Sequence, residues 1–185
     1  MIRQALPTDA PIIAQLIVAA MGELAAKFIN GTDPAKALPL FEHFAAMTAN
    51  QYSYDCTLVY EDETGVCGII SGYNGGDLDI LRADFLKYIR TVYNNTYQPE
   101  NETGPGEFYI DCLAVMPQHR GKGIGKQLIS ALIDKAKTLG QNTVGLLVNQ
   151  GNPKAEKLYL ELGFQKVGET VLLGTFNNHL QIKMA

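Results

Sequence analysis

Residues 115–129 read VMPQHRGKGIGKQLI, a glycine-rich stretch set between two segments of different periodicity. Just upstream runs the dense apolar segment FYIDCLAV, Phe108 to Val115. Downstream, from about Gly123 to Leu139, the residues Ile124, Leu128, Ile129, Leu132, Ile133, Ala136 and Leu139 recur at helical spacing, with Gly140 as a stop. The stretch is therefore a joint between a strand and a helix, and it carries Gly121, Gly123 and Gly125 among basic and imidazole side chains. Glycines let backbone N–H groups approach a ligand, and a helix start carries unpaired donors and partial positive charge. The combination is an anion cradle. Two commoner phosphate motifs do not match it. A dinucleotide fingerprint needs Gly-x-Gly-x-x-Gly and an acidic residue ending a following strand, and a Walker-type loop needs Gly-Lys-Ser/Thr.

Working outward, MIRQA alternates like a strand, and a helical pattern follows Thr8 or Asp9 as N-cap. A second helical region begins at Asp33-Pro34, with Pro39 marking a break or a late start. CTLVYEDETGVCGIISGY reads as a hairpin, with strands at 57–60 and 66–73 around an acidic turn closed by Gly65. Residues 75–106 form an insertion between strands, with a helix that turns Leu78, Leu81, Phe85, Tyr88, Ile89 and Val92 to one side, then the polar TYQPENETGPGE. After the cradle helix come the strand TVGLLV, a helix opened by Asn152-Pro153 and ended by Gly163, and the strand-like segments FQKVGET, VLLGTF and HLQIKMA.

At 185 residues with 46% hydrophobic composition, the chain fits one domain with a substantial core. No apolar run is long enough to span a bilayer and the start lacks a signal pattern, so a cytoplasmic protein without membrane contact is expected. Cys56, Cys67 and Cys112 are read as buried reduced thiols. His43, His119 and His179 are scattered, so no metal is expected. A net charge of −4 argues against nucleic acid as a partner. That imbalance sits between Gly75 and Asp111, where Asp77, Asp79, Asp84, Glu100, Glu102, Glu107 and Asp111 face only Arg82, Lys87 and Arg90. The segment is either a solvated acidic loop or a wall that attracts a cationic substrate.

LAVMPQHRGKGIGKQLI, read as Gln118-His119-Arg120-Gly121-Lys122-Gly123, resembles the Gln/Arg-x-x-Gly-x-Gly/Ala signature of the GNAT superfamily of N-acetyltransferases. NPKAEKLYLELGF resembles the family's second landmark, a tyrosine-bearing helix followed by Gly-Phe, and one strand separates the two as the family requires. The resemblance covers nearly the whole chain. It implies a mixed α/β single domain over residues 1–185, with a central, mostly antiparallel twisted sheet that contains a parallel, splayed strand pair and is flanked by helices. It also implies acetyl-coenzyme A as co-substrate, an amine acceptor and a possible homodimer.

The resemblance places the coenzyme pyrophosphate on the loop of Gln118, His119, Arg120, Gly121, Lys122, Gly123, Ile124, Gly125 and Lys126, and its pantetheine along Leu113, Ala114 and Val115. Asn152, with Asn149 as the alternative, would contact the coenzyme. Gly145, in the strand splayed from this one, serves either close approach or strand irregularity. Acetyl transfer needs a base to free the amine lone pair, a polarised carbonyl and a proton for the departing thiolate. Asp111, inside an apolar strand, is the first candidate base, against a structural carboxylate; Glu107, of the same strand parity, is second. Tyr159 reads as core from spacing, but the family places a general acid at this position. Cys112 alternates with Asp111 towards the other face and has no histidine beside it, which disfavours an acyl-cysteine route. The leading function is acetyl transfer to a small-molecule or peptide amine in a ternary complex; the rival is an acyl-coenzyme A sensor of the same fold that does no chemistry.

Overall fold

The computed structural model describes residues 1–172 and 174–184. Leu173 of VLLGTF and Ala185 of HLQIKMA lie outside the described residues. Seven strands, β1 (Ile2–Gln4), β2 (Thr57–Asp62), β3 (Gly65–Asn74), β4 (Phe108–Val115), β5 (Thr143–Asn149), β6 (Gln165–Leu172) and β7 (Thr175–Lys183), form one sheet in the order β1-β2-β3-β4-β5-β7-β6. Every neighbouring pair is antiparallel except β4 and β5. The three strand-like segments expected at the C-terminus are two longer strands paired as a hairpin.

Helices cover both faces. On one, α1 (Ala10–Met21), α2 (Glu23–Lys27), α3 (Leu38–Ala45) and α4 (Leu78–Tyr93) enclose a cluster of Ile13, Ile17, Phe28, Leu40, Phe41, Phe44 and Phe85 against Val59 and Ile69. On the other, α5 (Ile124–Thr138) and α6 (Pro153–Glu161) set Ile124, Leu128, Leu132 and Tyr159 against Ile70, Ile110, Val144 and Leu146. Alternate residues of the central strands feed the two layers, as the pleat dictates.

Local chemistry sets the ends. Asp9 precedes α1, but its carboxylate accepts from Leu6 N at 2.8 Å and pairs with Arg3 at 2.7 Å instead of capping the helix. Asp33 accepts from Ala35 N and opens a short 3-10 turn, Pro34–Ala37, so α3 starts late, with Pro39 in its first turn. Two expected core positions differ. Val92 is 53% exposed although Ile89 and Tyr93 on either side of it on α4 meet the cluster, and Leu139 is 58% exposed because it lies just past α5, where the chain leaves the helix. Arg82 takes the buried place on α4 instead, four residues after Leu78 and three before Phe85.

Candidate functional site

Strand β4 organises the site through two irregularities. Its pairing with β5 consists of Phe108 with Val144 and Tyr109 with Gly145, after which the strands part. Against β3, Cys112 faces Ser71 while Ile110 faces Gly72, so Asp111 is the extra residue of a β-bulge. Bulges re-aim side chains. This one ends the alternation expected of Cys112: that thiol packs against the α1–α4 cluster, whose Phe28 and Tyr52 also line the cavity holding Asp111.

That cavity, about 330 Å³, is bounded by Met21, Leu24 and Phe28 from the α1–α2 region, by Arg82, Glu100 and Glu102 from the 75–106 segment, and by Asp111 and Leu147 from the parting strands. Arg82 is buried. It donates to Gln51 Oε1 at 3.2 Å, to the Pro99 and Glu100 carbonyls at 3.3 Å each, and to Asn101 Oδ1 at 3.2 Å, and pairs with Glu102 at 3.1 Å. One guanidinium thus folds residues 99–102 over the cavity. The Tyr73 hydroxyl lies 3.3 Å from both Glu102 Oε1 and Asp111 Oδ1. Burial, then the nearby Glu102 charge, push the Asp111 carboxyl well above the usual carboxylate range. Burial also raises Glu102, with Arg82 opposing it. Asp77, Asp79 and Asp84 do not line this cavity; the first and last border other surface hollows, and Asp79 faces Asn101.

Glu107 is buried at 4% exposure and its carboxylate is engaged on both oxygens, accepting from Thr103 Oγ1 at 2.7 Å and from Gln181 Nε2 at 2.8 Å, with His179 Nε2 also at 2.8 Å. It occupies the space above Gly145, where an added Cβ would overlap Glu107 Oε2. What crowds Gly145 is thus the Glu107 carboxylate of the chain itself.

On the opposite, α5–α6 side of β4 is a second cavity of about 480 Å³, lined by Val115, His119, Arg120, Gly121, Gly123, Ile124, Gly125, Lys126 and Leu158. Gly121 and Gly123 have φ of +78° and +77°, a conformation that side-chain-bearing residues resist, and Gly123 is the N-cap of α5. The basic side chains are partly occupied: Lys126 pairs with Glu161 at 2.7 Å and Arg120 Nε donates to the Val115 carbonyl at 3.0 Å. Gln118 turns back to Met116 Sδ at 3.4 Å, and Lys122 is exposed. Leu113, Ala114 and Val115 pair with β3 on one edge and have left β5 on the other. Asn152 caps α6 by accepting from Ala155 N at 3.2 Å; Asn149, on the first cavity, accepts from Gly151 N at 2.7 Å. Tyr159 is buried on α6 beside Phe164, and burial, with the neighbouring Cys112, pushes its phenol up to about 12.

Arg82, Glu102 and Tyr73 were not singled out from the sequence. For Arg82 a signal was present, its i+4 spacing from Leu78; Glu102 sits in a polar loop whose path no periodicity reveals.

The Acetyltransferase (GNAT) family model matches residues 19–164. A solved acetyltransferase structure superposes with a TM-score of 0.87 at 31% identity, covering 100% of both chains. An N-acetyltransferase from Staphylococcus aureus Mu50 does so with a TM-score of 0.84 at 24% identity, covering 98% of this chain and 100% of the other. The N-alpha-acetyltransferase RimI of Mycobacterium tuberculosis is 38% identical over 66 residues, 36% of this chain and 40% of that protein. The chain spans less than half the length of the curated relatives it first matches. With the family model spanning most of the sequence, the glycine cradle at the start of α5 and the parting of β4 from β5, this chain belongs to the GNAT family of acetyltransferases.

Proposed function

We propose that the protein moves an acetyl group from acetyl-coenzyme A to a primary amine of a small molecule or peptide, by direct attack within a ternary complex. One observation carries this reading: an acid-lined cavity and a glycine cradle lie on opposite sides of β4 where its pairing with β5 has ended. A thioester held along the free edge of β4 would reach from one to the other. The coenzyme supplies the acyl carbonyl and the thiolate leaving group; a related fold, yncA from Salmonella typhimurium, is described with acetyl-CoA as its cofactor.

The chain's own groups divide the remaining work. Backbone N–H groups from Arg120 to Lys126 hold the pyrophosphate at the start of α5. Leu113, Ala114 and Val115 offer their unpaired edge to the pantetheine amides, as an edge strand takes a peptide. Asn152 and Asn149 have their Oδ1 atoms committed to the backbone and donate to the coenzyme through Nδ2. An ammonium entering the first cavity gives its proton to the Asp111–Glu102 pair, whose raised pKa makes it a stronger base than an ordinary carboxylate. Tyr73 holds the two carboxyls in register. The freed nitrogen attacks the carbonyl, polarised by the backbone N–H near Val115; the carbon–sulfur bond breaks, and Tyr159 protonates the thiolate. Glu107, with both oxygens engaged, holds β4, β5 and β7 together and is assigned no proton transfer.

The test is thiol release with acetyl-coenzyme A across a panel of amines, beside a cofactor titration. Expected are amine-dependent release and intersecting double-reciprocal plots, which a ternary complex gives and an acyl-enzyme route does not. Tight cofactor binding with no turnover across the panel would overturn the proposal in favour of a sensor.

A further inference from the structure

Away from the cleft, two side chains of one hairpin and one from a short turn converge behind the cradle. Asp62 ends β2 and Cys67 lies near the start of β3, so their hairpin brings them together; His119 closes the short turn Pro117–His119 that leads into the glycine loop. Asp62 Oδ2 is 3.3 Å from His119 Nδ1 and 3.8 Å from Cys67 Sγ, and one donor atom from each residue lies within 4.8 Å of the other two. His119 is 8% exposed, and its Nδ1 is shut off from solvent with no hydrogen-bond partner among the described residues. An unsatisfied buried nitrogen is costly and calls for a ligand.

The separation of Asp62 from His119 points to the kind of ligand. A charge-assisted hydrogen bond closes to about 2.7–2.9 Å, whereas the Asp62–His119 contact is longer and lacks hydrogen-bond alignment. Donors about 2.0–2.1 Å from a tetrahedral ion stand about 3.3 Å apart, and their lone pairs point at the ion and not at each other. We infer that Asp62, Cys67 and His119 bind one tetrahedral divalent cation of the zinc type, with water as fourth ligand on the open side of Asp62.

Mixed nitrogen, oxygen and sulfur donors select such an ion over magnesium or calcium, which take oxygen sets. Loading replaces the Cys67 thiol proton, which passes to solvent, and the resulting thiolate and carboxylate together balance the cation's charge. Asp62 is already oriented for this: its Oδ1 accepts from Thr64 N at 2.8 Å and from Thr64 Oγ1 at 2.6 Å, the outer contacts that steady a ligating carboxylate. Scattered histidines pointed away from a metal in the sequence because two of the three ligands come from a hairpin that only pairing brings beside His119. His119 also borders the cradle cavity, so the ion would pin the turn that enters it.

The experiment is cobalt(II) titration of protein first stripped with a chelator, followed by visible and near-ultraviolet absorption. One equivalent should give tetrahedral d–d bands and a thiolate-to-cobalt charge-transfer band, both lost in Cys67→Ala and Asp62→Asn but kept in Cys56→Ala. Zinc(II) should displace the cobalt and raise Tm by several degrees in the unaltered protein and not in Cys67→Ala. Absence of the bands at one equivalent, or their persistence in Cys67→Ala, overturns the site. Should Cys67→Ala not fold, Cys67→Ser serves, since it also removes the charge-transfer band. No readout depends on acetyl transfer, so failure here leaves the proposed reaction standing.

Discussion

In the proposed reaction, Asp111 is a single residue that sets activity against stability. Its carboxyl is raised by burial and by Glu102, so between the ordinary carboxylate range and the raised value the folded protein holds a proton that the unfolded chain has already released. With more protons bound in the folded state, stability falls as pH rises from the ordinary carboxylate range through the raised value, and it is greatest at the acid side of that window. Asp111→Asn keeps the shape and removes the titration. It should therefore raise Tm at pH 7 by a few degrees, on the scale of about 2–4 °C per kcal/mol for a chain of this size, and flatten that decline in thermal scans across pH. The same substitution should lower kcat about a hundredfold, the usual worth of a positioned base. A variant that is no more stable and just as active would return Asp111 to a structural part. Tyr159→Phe is its counterpart at the leaving group: the ring stays packed on Phe164, only the hydroxyl goes, and kcat should fall while the acetyl-coenzyme A Kd from calorimetry stays within about twofold.

Between elements, the place where β4 parts from β5 carries one crowded glycine. Gly145 lies at the last pair of the ladder, and the buried Glu107 carboxylate fills the space where its side chain would be. Gly145→Ala must expel that carboxylate from Thr103, Gln181 and His179, leaving a buried charge with broken partners, a loss of roughly 3–5 kcal/mol. Chemical denaturation should register it as a fall in midpoint; a change under 1 kcal/mol would mean that Glu107 has another place to go. The elements themselves were largely legible. Strand β4, the glycine turn and α5 announce themselves because an apolar run, a run of spaced glycines and a 3.6-residue period follow one another without interruption, and a family landmark falls on the joint. The bulge at Asp111 was not legible, because it depends on which residue of β3 faces which of β4, a register that only the assembled sheet defines. Nor was Glu102, which Arg82 draws over the cavity from a loop that carries no pattern of its own.

Across the whole molecule the charge tells a more selective story than its sum. The excess acids between residues 75 and 111 divide by position: Glu100, Glu102 and Asp111 border the cavity under residues 99–102 with Arg82 among them, while Asp77, Asp79 and Asp84 lie off it. The acids of the segment thus fall into two groups, one lining a cavity and the other facing solvent or neighbouring loops. A cationic acceptor would feel the first group at contact distance and in reduced dielectric, and the second through water, where screening acts within about 8–10 Å at physiological ionic strength. Replacing Asp77, Asp79 and Asp84 together by Asn should accordingly leave KM for a diamine close to its original value, whereas Glu102→Gln should raise it several-fold and weaken its increase with salt. The acetyl-coenzyme A Kd should be unchanged in both, since the cradle lies across β4 from these acids. Steady-state kinetics at low and high salt, using the best diamine found in the amine panel, decide the matter. A triple variant that raises KM as much as Glu102→Gln would mean that the acceptor is recognised by the general field of the acidic segment and not by the few carboxylates that Arg82 and the bulge bring to the cavity.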